Sequence, residues 1–158
     1  MRYKRILVSL AALLICTCLF AQQKAKPIAP FKITLVTGKA FASSQLQKKK
    51  ETILIYFSPT CGHCKELTKE LIRQQKKLLS KQVVMITNEP LSEVKAFDAM
   101  YSLSVYPNIK IGTEGNTLLV QQYYNIQHFP FVASYSKKGK LLKILPHDMK
   151  AEEMVNQL

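Results

Sequence analysis

The chain has 158 residues, 47% hydrophobic side chains and a formal charge of +13, which fits one foldable domain and is too short for two ordinary ones. Five glycines, seven prolines and no tryptophan exclude collagenous and low-complexity classes. Lys plus Arg number 23 against 10 Asp plus Glu, but no nucleic-acid motif accompanies that excess and no nucleic-acid partner is expected.

Arg2, Lys4 and Arg5 are followed by Ile6–Ala21, a run without charge. A basic start and a short apolar stretch form the pattern of a secretory signal peptide. The run is 16 residues long, below the ~20 that span a bilayer as a helix. Residues 1–21 are therefore read as a cleaved leader with Ala21 at the cut, although Leu19 fits the usual small-residue site poorly. Export to a periplasm or to the outside follows. A membrane partner is expected only if the leader is retained as an anchor or acylated at Cys16 or Cys18. Loss of three basic residues leaves the mature chain at +10, read mainly as a solvated, solubilising surface, with attraction to acidic partners or an anionic membrane as the other reading.

Residues 22–30 (QQKAKPIAP) are polar with two prolines and read as a linker to a domain over 31–158. A short strand is expected over Lys32–Val36 and a turn at Thr37–Lys39, with Ser43 and Ser44 capping a brief helix. Thr52–Phe57 is a continuous apolar, β-branched and aromatic run, the mark of a strand buried on both faces. From Cys61 the period changes, and Leu67, Leu71 and Leu78, with Ile72 and Leu79 beside them, fall on one helical face. Val83–Thr87 is the next buried strand, so strand, helix and strand form a parallel crossover unit.

Ser92 is expected to cap a helix carrying Val94, Phe97, Met100 and Tyr101. An extended piece at Ile109–Ile111 and a helix over Thr117–Tyr124 come next. Phe131–Ser136 and Leu141–Leu145 read as a hairpin about Lys137–Lys140, and Asp148 caps a closing helix. The order gives an α/β fold, a mixed central sheet with helices on both faces.

With Cys16 and Cys18 in the leader, the mature chain keeps only Cys61 and Cys64, spaced C-x-x-C. A disulfide this local closes too small a loop to restrict the unfolded chain much, so the pair points to chemistry. Cys61 sits at a strand-to-helix switch, where unpaired N–H groups and the positive helix end favour a thiolate. Cys64 lies about one turn on, on the same face and deeper. Cys61 is the candidate nucleophile and Cys64 the resolving thiol.

SPTCGHCKEL after a buried strand, with IQHFPFVASYSKKGKLLKI further on, resembles the thioredoxin superfamily over about Lys32–Leu158. The CGHC filling is similar to that of protein disulfide isomerase active sites, and the exported context resembles periplasmic thioredoxin-like proteins. The resemblance implies a thioredoxin-like fold and a thiol–disulfide oxidoreductase without a cofactor. It also implies client proteins with thiols or disulfides and a redox partner that recycles the pair. Phe129–Pro130 would be a cis bond facing the cysteines, with the Phe129 backbone offered to an extended client. His63, between the cysteines, would place positive charge near the thiolate and tune the couple. Two positions depart from the pattern. Thr60 stands where thioredoxins usually place Trp, and Ile55 stands where many keep a buried acid that assists the second thiol.

Two other classes compete. The thiolates with His63 or His128 could bind copper or zinc, although no second Cys pair completes a structural zinc site. The fold could also serve as a non-catalytic module that only holds clients. His128 reads as a loop residue near Pro130, and His147 beside Asp148 as surface capping.

Overall fold

The computed structural model describes residues 26–158, and the leader residues 1–21 lie outside them. Seven strands form one sheet: β1 (Lys32–Leu35), β2 (Ala40–Ala42), β3 (Thr52–Tyr56), β4 (Gln82–Thr87), β5 (Ile109–Thr113), β6 (Phe131–Tyr135) and β7 (Leu141–Leu145). Their spatial order is β2-β1-β5-β4-β3-β6-β7. The central β3, β4 and β5 run parallel, and β6 joins β3 antiparallel with Tyr56 opposite Phe131. Among the described residues five α-helices complete the fold, α1 (Gly62–Arg73), α2 (Gln75–Leu78), α3 (Leu91–Tyr101), α4 (Leu119–Tyr124) and α5 (Ala151–Asn156), with three short 3₁₀ turns between elements.

The period-2 alternation of the buried strands divides the core between the two faces of the sheet. Ile53, Ile55 and Phe57 point with Val83 and Met85 to the face covered by Leu67 and Leu71 of α1, Val94 and Phe97 of α3, and Met154 and Val155 of α5. Leu54 and Tyr56 point with Val84 and Ile86 to the other face, against Val120 of α4 and Ala29, Phe31 and Ile33. This is the expected mixed sheet with helices on both faces.

Several local expectations change. The first long helix ends at Arg73, and a short second one resumes at Gln75. The break turns the apolar stripe, so Leu78 stays buried while Leu79 is 53% exposed. Pro90, not Ser92, is the N-cap of α3, because a proline pre-sets the entry and needs no donor N–H. Lys150, not Asp148, precedes α5, and no side chain caps it. The turn at Ser43–Gln45 is 3₁₀, held by Gln45 Oε1 accepting from Ala42 N–H at 2.8 Å rather than by a serine. The stretch read as a linker is docked from Pro27 onward: Pro27 bridges Lys140, and buried Ala29 donates its N–H to the Tyr124 hydroxyl at 2.9 Å.

Gly112, on β5, allows the sheet's far edge to close. A Cβ there would lie 2.5 Å from the Thr34 carbonyl oxygen of β1, a backbone atom that cannot turn aside. Gly112→Ala is expected to lower stability by about 1–3 kcal/mol, read as a lower urea midpoint, with disulfide exchange retained because β4 separates β5 from β3.

Burial holds the hydroxyls of Tyr56 and Tyr135 protonated well beyond the ordinary tyrosine range and raises that of Tyr124, and the Glu114 carboxyl adds to this at Tyr56. Because the folded state keeps these protons while the unfolded chain releases them near pH ~10, stability is complete below that pH and falls as pH rises above it. Denaturation midpoints measured between about pH 8 and 11 should decline over the upper part of that range.

Candidate active site

The parallel strand β3 ends at Tyr56, and the chain turns through Ser58–Thr60 before α1 begins. Cys61 is the N-cap of α1: its backbone is extended, and its sulfur accepts the Cys64 N–H at 3.4 Å. The helix start thus directs an otherwise unpaired amide at the first sulfur. Cys61 is half-buried and Cys64 is only 1% exposed. Burial and the adjoining Cys61 sulfur push the Cys64 thiol far above the ordinary thiol range. The two sulfurs therefore differ in access, the first open to a partner and the second behind it.

The antiparallel register fixes the opposite wall. Since Tyr56 pairs with Phe131, the residues just before β6 must lie beside the end of β3. Phe129–Pro130 is a cis peptide bond, and the Phe129 carbonyl lies 3.7 Å from the Cys61 sulfur, which donates to it as a thiol. The Phe129 ring stacks on Tyr56 at 5.9 Å between centroids.

Tyr56 is held in turn by Glu114, a residue absent from the sequence reading. Its Oε1 accepts from the Tyr56 hydroxyl at 2.8 Å, and its Oε2 accepts from Val120 N–H at 2.8 Å. Glu114 is 6% exposed. It fixes the first turn of α4 and the last residue of β3 together, directly behind the Phe129 ring. The only sequence signal was an acidic residue between a buried strand and Gly115, a pattern that usually marks a turn.

His63 is exposed on the first turn of α1, in a groove of about 360 Å³ that it shares with Pro130, Met149 and Lys150. Asp148, expected as a helix cap, lines this groove instead. His128 and His147 stack at 4.4 Å between centroids in a second depression that also reaches Pro130. Among the described residues no group of three or more His, Cys, Asp and Glu side chains converges as a metal cage. Ile55 is fully buried and brings no carboxyl group to the Cys64 thiol from that position.

Residues 32–128 match the family model described as Thioredoxin. The chain belongs to the thioredoxin family. Protein disulfide isomerase-like 2-1 of Oryza sativa subsp. japonica is 26% identical over 87 residues, which is 55% of this chain and 24% of that protein. The chain therefore spans about a quarter of that relative's length. Among solved structures, a secreted Mycobacterium tuberculosis disulfide oxidoreductase, described as homologous to E. coli DsbE, superposes with a TM-score of 0.67 at 19% identity, covering 81% of this chain and 93% of that one. A thiol-disulfide oxidoreductase from Bacteroides fragilis gives 0.66 at 16% identity, covering 84% and 100%. At these identities the structural likeness establishes the thioredoxin-like fold.

A thioredoxin-family pair with a buried, acid-free second thiol carries a kinetic consequence. Only the thiolate attacks, and at neutral pH nearly all of Cys64 is thiol. Release of a client from a Cys61 mixed disulfide should therefore accelerate about tenfold per pH unit between roughly pH 6 and 8, measured by stopped-flow with a fluorescent disulfide peptide.

Proposed function

We propose that this thioredoxin-family chain is an exported thiol–disulfide oxidoreductase in which Cys61 exchanges with client proteins and Cys64 resolves. The observation that carries the reading is the asymmetry of the pair. A half-buried sulfur sits at the helix N-cap, and a buried thiol stands one turn behind it. In the reducing direction the Cys61 thiolate attacks one sulfur of a client disulfide. The client S–S bond breaks, and its second sulfur leaves as a thiolate that takes up a proton. Cys64 then gives up its proton and attacks the Cys61 sulfur, releasing the other client thiol and leaving a Cys61–Cys64 disulfide. The client gains two hydrogens, and a separate dithiol partner restores the pair. Oxidation of client dithiols is the same sequence reversed.

Phe129 and Pro130 form the wall against which an extended client segment lies, and the charge His63 can carry favours the reduced pair. A basic, then apolar, leader over residues 1–21 supports a periplasmic or secreted location, as does the likeness to a secreted disulfide oxidoreductase of M. tuberculosis.

Equilibrating the full chain with glutathione redox buffers and reading the thiols by alkylation gives the direction of use. A potential near −180 mV, roughly that of disulfide isomerases, assigns an oxidase or isomerase. One near −270 mV, roughly that of thioredoxin, assigns a reductase. If Cys61 and Cys64 form no reversible couple, the proposal fails and metal analysis of the purified chain follows.

A further inference from the structure

Lys48, Lys49, Lys50, Lys137 and Lys138 line a single cavity of about 460 Å³ at the end of the sheet remote from the cysteines. The topology brings them together. Because Thr52 pairs with Tyr135 across antiparallel β3 and β6, the turn entering β3 lies beside the turn leaving β6, and each carries a lysine run.

Both turns are built rather than loose. Buried Gln82 accepts from Gln47 N–H at 2.8 Å and donates to Gln47 O at 3.0 Å and to Thr52 Oγ1 at 2.9 Å, which clamps the stretch that presents Lys48–Lys50. The hairpin turn is closed by Ser136 N–H to Lys140 O at 2.9 Å and by Gly139 N–H to Ser136 O at 2.8 Å. No Asp or Glu lines the cavity. The neighbouring Glu51 is engaged by Lys81 at 2.7 Å, and none of the five lysines takes part in an ion pair among the described residues. The five lysines outnumber the Glu51 carboxylate, which Lys81 binds and Lys137 also attracts, so this end of the molecule presents a net positive surface that favours an anionic partner.

The apolar part of the lining includes Ile28 and Leu46. The start of the folded domain also reaches this cavity, at Ile28. We propose that this end of the molecule docks on an anionic phospholipid surface, the lysines meeting headgroup phosphates, with the Cys61 end of the sheet facing away and free to meet clients. The proposal is independent of the thiol chemistry, since no cavity residue touches the cysteine site.

The test uses the full chain and co-sedimentation with vesicles of phosphatidylcholine alone or mixed with an equal part of phosphatidylglycerol. The ratio of the two partition coefficients cancels the apolar contribution of residues 1–25, and the charges of Arg2, Lys4, Arg5 and Lys24 are common to every variant compared. Each lysine near an anionic bilayer strengthens binding roughly fivefold, so K48Q/K49Q/K50Q should lower the ratio about 100-fold. K39Q/K95Q/K110Q, which removes the same charge outside the cavity, should lower it far less. Equal losses in the two variants, or no preference of the wild-type chain for the anionic vesicles, would overturn the proposal. So would calorimetric binding of inorganic pyrophosphate that the first variant abolishes, if it comes without a vesicle preference, because the cavity would then serve a soluble phosphate. Disulfide exchange assayed on the same samples should be unchanged in both variants, which separates this proposal from the thiol reading.

Discussion

Cys61→Ser should abolish disulfide exchange, lowering the rate at least roughly 1000-fold, whereas Cys64→Ser should accumulate a covalent adduct with client chains. The difference follows from position. Cys61 carries the accessible sulfur at the N-cap, and without it no mixed disulfide forms. Cys64 is 1% exposed behind it, so its loss leaves the attack intact and removes only the release. Non-reducing gels and intact mass of the two variants, incubated with a disulfide-bonded client, measure this directly. Adduct on Cys61→Ser instead of Cys64→Ser would reverse the assigned roles. Serine at Cys61 retains an N-cap acceptor and should cost little stability, whereas serine at Cys64 puts a hydroxyl into the apolar core and should cost about 1–3 kcal/mol.

Glu114→Ala is expected to cost roughly 2–5 kcal/mol of stability. The buried Tyr56 hydroxyl and Val120 N–H both lose their acceptor at a place that water does not reach. Glu114→Gln should cost less, since its amide oxygen can still accept from Val120 and its NH₂ can donate to the Tyr56 hydroxyl. The same substitution tests how the sheet supports the site. Tyr56 stacks on Phe129, and Phe129 O faces the Cys61 sulfur. In folded Glu114→Ala, the alkylation rate of Cys61 should therefore shift, while Gly112→Ala, whose added methyl meets β1, separated from Tyr56 on β3 by β5 and β4, should leave it unchanged. Chemical denaturation and iodoacetamide kinetics on both variants decide between a local support and a general loss of stability.

The sheet's centre was legible because its signals were redundant. TILIYF and VVMIT are continuous runs of mostly apolar and β-branched residues at strand length, and the helical stripe between them dictates a parallel crossover. The register that brings Pro130 beside Cys61 then follows from a hairpin returning next to β3. Capping residues were read less well. Ser92 and Asp148 have the right side chains, yet the helices start elsewhere, at Pro90 and Lys150, because the backbone's entry angle into the core decides the cap. The break at Gln74 was invisible for a similar reason, as Leu78 and Leu79 are equally apolar and only packing selects one. Glu114 could not be found by pattern at all, since its partners lie 58 residues before it and 6 after it. The converging lysine turns were legible as charge but not as a place, because the pairing of Thr52 with Tyr135 is what joins them.

The central claim, a redox pair with one accessible and one sheltered sulfur, is tested most directly by alkylating the native reduced chain with iodoacetamide and locating the adduct by peptide mass. The account predicts modification at Cys61 well before Cys64. After mild oxidation it predicts no modification at either position, with both thiols returning on reduction. Equal reactivity of the two cysteines, or two thiols that survive oxidation, would contradict it.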